Sequence, residues 1–105
     1  MDTWVPITAQ ELEARIEREL SSCSDEQKQY FARISTGLRE AKIERFGLIE
    51  SVFIVAQDKG IALYYEDVEE GFNLSPLTVD GAIASPGWED WELRHALYHL
   101  AAQIS

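Results

Sequence analysis

The apolar spacing of this chain changes once, near Ala41, and that change limits the fold more than any other feature. Before it, Leu12, Ile16, Leu20 and Cys23 recur at helical spacing. After it, Ile43 to Phe46 alternate, and ESVFIVAQ (50–57) is rich in the β-branched and aromatic residues that suit a half-buried strand. Helical periods thus come first and strand periods follow, without the strand–helix alternation of a parallel sheet, so the class is α+β. With 105 residues the chain makes one domain, 1–105.

Local signals place the elements. Thr8 and Glu11 form a capping box, with Ile7 as the staple onto Leu12, and Glu11, Arg15 and Glu19 offer exposed pairs. A second box, Ser24 to Gln27, opens another helix after almost no linker. Its buried stripe is Tyr30, Phe31, Ile34 and Leu38, with Gly37 as the stop. The two helices are expected to form an antiparallel hairpin. Gly47 interrupts the first alternating run, and Asp58–Gly60 turns the chain between strands 52–56 and 61–66. Residues 71–85, with Gly71, Pro76 and Asp80–Gly81, read as short strands or loop. The final GWEDWELRHALYHLAAQI reads as a helix capped by Ser85 or a nearby polar residue, with Pro86 in its first turn, Glu89 and Asp90 at the positive end of its dipole, and Leu93, Leu97, Leu100 and Ile104 on one face. The expected architecture is an N-terminal helical hairpin, an antiparallel β-meander of three to four strands, and a C-terminal helix packed on the sheet.

Composition narrows the function classes. Hydrophobic residues make up 46% of the chain, and no apolar run approaches the ~20 residues of a membrane-spanning helix. The N-terminus lacks the basic and apolar regions of a secretory leader, and the single cysteine, Cys23, suits a reducing compartment, so a cytoplasmic location is expected. Nineteen acids against nine bases give a net charge of −10, which argues against nucleic acid and anionic membrane as partners. The imbalance is local: residues 1–42 hold eight acids and six bases, residues 43–105 eleven and three. No Lys or Arg occurs between Gly60 and Leu93, where eight acids fall.

Catalytic signatures are missing. The sequence has no Walker A pattern, G-x-G-x-x-G, G-x-S-x-G, C-x-x-C or EF-hand loop. Glu92, His95 and His99 share a helix side and contain a zinc-compatible histidine pair, yet they lie opposite the leucine stripe with no Cys partner, so a solvated helix face explains them better. Cys23 reads as a small core residue. Neither a metal nor another cofactor is implied, and an enzyme built on carboxylates or on His95 and His99 is the least favoured class.

The acidic stretch is YYEDVEEGFN (64–73), where Glu66, Asp67, Glu69 and Glu70 follow two tyrosines that must face opposite sides of a strand. Trp88 and Trp91 flank Glu89 and Asp90 further on. Such a run is either a well-solvated surface or a ledge that meets positive charge on another protein, with aromatic anchors inside an acidic rim. A small acidic α+β chain with YYEDVEEGFN and WEDWELRHALYHL resembles the immunity proteins of bacterial toxin systems. That resemblance implies a non-catalytic antidote that binds a cognate toxin with a basic surface. Tyr64, Glu66, Asp67, Glu69, Glu70, Trp88, Glu89 and Asp90 are the candidate contacts. An acidic interaction module, assembled as a homodimer, is the competing reading.

Overall fold

In a computed structural model that describes residues 6–104, two helices lead into a four-stranded antiparallel sheet, and a third helix closes the chain. Residues 1–5, part of the segment read above as lacking a leader, lie outside the described residues. The elements are α1 (Ala9–Leu20), α2 (Asp25–Ile34), β1 (Ser35–Arg45), β2 (Leu48–Asp58), β3 (Ile61–Glu66), β4 (Gly71–Pro76) and α3 (Leu93–Ile104). Sheet order follows chain order, so every pairing is a neighbouring-strand pairing. This is the expected α+β class, with α3 packed on the sheet.

Both capping boxes form. Thr8 Oγ1 accepts from the Glu11 backbone N–H while Glu11 accepts from Thr8, and Ser24 and Gln27 do the same for α2. Each box satisfies two of the amide donors that a helix start leaves orphaned. Leu12, Ile16, Phe31 and Ile34 then turn inward, with Cys23 buried beside them.

The strand limits differ from the sequence expectation. The ladder of β1 begins at Ser35, directly after α2, with Gly37 at φ 67 inside an irregular register between Ser35 and Arg39. Gly37 is therefore not a helix stop, and Leu38 packs against the core from a strand. STGLRE carries no alternating apolar pattern because it lies on an edge strand, where backbone pairing to β2 rather than burial defines the element. The predicted hairpin of 52–56 with 61–66 forms as β2 and β3, turning through Lys59 and Gly60, both at positive φ.

Each sheet face has its own apolar cluster. Val55, Leu63, Tyr65 and Phe72 face the three helices, while Ala41, Ile43, Val52, Ile54, Ala62 and Tyr64 face the other way. Both Tyr64 and Tyr65 are consequently buried, one on each side. Coil rather than helix covers the second face. Residues 77–91 leave β4 and return across it, placing Ile83 in the cluster and donating its N–H to the Lys42 carbonyl on β1 at 2.9 Å. The turn expected at Asp80–Gly81 is part of this strap, with Gly81 at φ 82.

The last helix starts later than its sequence suggested. Trp91 pairs with Phe72 through N–H···O bonds of 2.8 and 2.9 Å, so Trp88–Trp91 extends along β4 and α3 begins at Leu93. Glu89 and Asp90 are thus outside its first turn, and Ser85 donates its N–H to Ser75 Oγ instead of capping. The carboxylate at the positive end of the α3 dipole is Glu19 of α1, which accepts from Leu93 N–H at 2.7 Å.

Candidate functional site

Three connections meet at one end of the sheet: the β1–β2 turn at Phe46–Gly47, the β3–β4 turn at 67–70, and the segment 86–91 alongside β4. Arg45 faces Leu48 across the first turn, leaving a two-residue loop with φ 51 at Phe46 and φ 77 at Gly47. Two positive φ values define the I′ geometry that matches strand twist. Asn or Asp normally takes its first position, because a bulky side chain is strained there. Phe46 occupies it here with 87% of its surface exposed.

Beneath this tip lies a buried ion pair. Arg45 donates to Glu66 at 2.5 Å, and Glu66 is only 3% exposed. Burial pushes the Glu66 carboxyl above its usual range, the Arg45 guanidinium and the Val68 N–H act in the opposite direction, and the nearby Asp90 and Glu50 charges add to the rise. The Arg45 guanidinium also sits 4.6 Å from the centre of the Trp88 ring, and that ring lies 5.9 Å from the Phe46 ring. Trp88 is itself 59% exposed. The ion pair therefore fixes a cation against the Trp88 ring, a contact worth about 0.5–2 kcal/mol.

The segment that carries Trp88 is held by buried polar side chains. Asn73 Oδ1 accepts from the N–H groups of Glu89 and Asp90, and its Nδ2 donates to the Asp90 carboxylate at 3.0 Å. Tyr64 Oη accepts from Gly87 N–H at 2.8 Å. Burial pushes the Tyr64 phenol up. Asn73 and Tyr64 satisfy donors that the strap buries, which is why they are polar at fully enclosed positions.

These contacts sort the candidate residues. Glu69, Glu70, Trp88 and Glu89 are exposed and grouped at this end of the sheet. Asp67 is half-buried and accepts from Ile7 N–H at 2.6 Å, while half-buried Asp90 accepts from Asn73. Tyr64 and Glu66 are corrections: both are enclosed, so their side chains support the surface rather than present it. Sequence reasoning also missed Phe46, Leu48 and Ile49, which are large, apolar and exposed at the hairpin end. The available signal was Phe-Gly between two alternating runs, where Asn-Gly is the ordinary turn.

Glu92 and His99 of the C-terminal segment have different partners. Glu92 pairs with Arg94 at 3.4 Å, and His99 stacks on Trp91 with ring centres 4.3 Å apart. Among the described residues no three His, Cys, Asp or Glu side chains are grouped to hold a metal ion, and no helix is long and apolar enough to cross a membrane. No protein-family model matches this chain, and no curated protein or solved structure is significantly similar to it.

Proposed function

We propose that this chain is a non-catalytic, protein-binding antidote that neutralises a cognate bacterial toxin by occupying a basic surface on it. The observation that carries the reading is the grouping of exposed Trp88 with Glu69, Glu70 and Glu89 at one end of the sheet. Aromatic anchors inside a charged rim are the usual composition of a protein-binding surface. The rim also selects the sign of the partner. Apart from the buried Arg45–Glu66 pair, residues 44–50, 67–70 and 89–90 contain seven acids and no base. A second copy of the same surface would meet like charge, so the acidity favours a basic partner over a homodimer through this face. The antidote reading itself draws on the likeness to immunity proteins.

The test is capture of partners from cells of the source organism at low and at physiological salt, with wild type beside the triple variant Glu69→Lys, Glu70→Lys, Glu89→Lys. All three side chains are exposed, so the variant is expected to fold as wild type does. The expected result is one stoichiometric basic protein whose toxicity is suppressed by wild type and whose association rate falls about tenfold or more with the variant. A wild-type sample that retains only further copies of itself would overturn the antidote reading.

A further inference from the structure

The hairpin tip carries a cost to the fold that the fold does not use. Phe46 stands at positive φ in a position suited to asparagine, and its ring is 87% exposed, so core packing does not account for it. Its neighbours repeat the pattern: Leu48 is 63% and Ile49 69% exposed. Scattered exposed apolar residues are ordinary, but Phe46 lies against the exposed Trp88 ring, and an apolar pair of this kind rimmed by charge marks an interaction site. The rim is present, since Glu44 and Glu50 flank the hairpin across from Ile49 and Ile43. Trp88 packs beside Phe46, and the Arg45 guanidinium of the buried Arg45–Glu66 pair packs against Trp88.

We infer that the β1–β2 hairpin tip is an insertion element, in which Phe46 enters an apolar pocket on a protein whose pocket mouth is lined by Lys or Arg. The ring fills the pocket, Trp88 and Leu48 cover its mouth, and Glu44, Glu50 and Glu89 meet the basic rim. This deepens the antidote reading by naming the anchor and the kind of cavity that receives it. Charge fixes the choice of occupant: a second copy would bring glutamates against glutamates, whereas a basic rim is complementary. The turn chemistry agrees, since a pre-formed two-residue loop loses little conformational freedom when it enters a cleft.

Two measurements test this. The first compares wild type with Phe46→Asn, which keeps the I′ turn and removes the ring. Relief of the strained position is expected to raise Tm by a few degrees, while affinity for the captured basic protein falls about 30-fold or more. Phe46→Tyr, which retains the ring, is expected to recover most of that affinity. These opposite effects on stability and binding exclude unfolding as the cause. The second places the photoreactive residue benzoylphenylalanine at position 46 in one chain and at the exposed Val79 of the strap in another, with irradiation in cells of the source organism. The expected adduct arises from position 46 alone and maps to an apolar site bordered by Lys or Arg on another protein. Unchanged affinity in Phe46→Asn, equal adducts from positions 46 and 79, an adduct only to a second copy of this chain, or no adduct would each overturn the inference. A toxin still bound tightly by Phe46→Asn would remove the insertion element and leave the antidote reading standing. A position-46 adduct to a basic protein without toxicity would do the reverse.

Discussion

Tyr30 donates its hydroxyl to the Asp58 carboxylate at 2.8 Å, joining α2 to the end of β2. Burial, followed by that hydrogen bond, pushes the phenol up to about 12. A raised phenol favours the neutral form in the folded state, so its stabilisation is complete below about pH 10 and is lost as pH rises through about 12. Tyr30→Phe is expected to cost about 1 kcal/mol at neutral pH and to flatten the decline in stability above pH 10, measured by urea unfolding at a series of pH values. Parallel declines in parent and variant would remove Tyr30 as the source. The sequence placed Tyr30 on the buried stripe of the second helix, which is right for its ring. Its acceptor lies 28 residues away, and no local pattern encodes a contact that only the tertiary fold creates.

Among the elements, the approach of the Trp88–Trp91 segment to β4 depends on Gly71. A β-carbon there would lie 2.5 Å from the backbone Cα and carbonyl carbon of Asp90, closer than any packing allows. Asp90 is already at φ 50 and tied to Asn73, so it has little room to withdraw. Gly71→Ala is therefore expected to destabilise the domain by about 1–3 kcal/mol. It should also release the Phe72 and Trp91 amides to faster hydrogen exchange. Unchanged exchange at both amides would mean that the segment does not depend on this close approach. In the same region the local sequence signals for a helix start and the observed start at Leu93 differ. Pro86 and the acids at 89 and 90 satisfy local rules for a helix start, but two strand-like hydrogen bonds to Phe72 and the cap from Glu19 outweigh them. The capping boxes of α1 and α2 were legible because both partners lie within four residues. The first strand was only half legible, since its polar part is defined by pairing and not by burial.

At the scale of the whole molecule, a charge of −10 is spread over a body measuring 41 × 33 × 21 Å. Much of that charge lies at one end of the sheet, where self-repulsion opposes folding. Raising salt from about 10 mM to about 150 mM shortens the screening length from about 30 Å to about 8 Å, and Tm is expected to rise with it. A Tm independent of salt would show that the acids are already compensated in the free protein. The α+β class was readable from one change of period, but the two-sided burial of the sheet was not, because the strap that creates it has no periodicity. That strap is attached mainly through its own backbone: Leu77 N–H to the Gly60 carbonyl, Ile83 N–H to the Lys42 carbonyl and Ala84 N–H to the Pro76 carbonyl. Main-chain attachment is indifferent to most side chains, so exposed positions such as Val79, Asp80 and Ala84 are free to be exchanged without disturbing the sheet beneath. A lineage could thus rewrite that face many times over while inheriting the same scaffold.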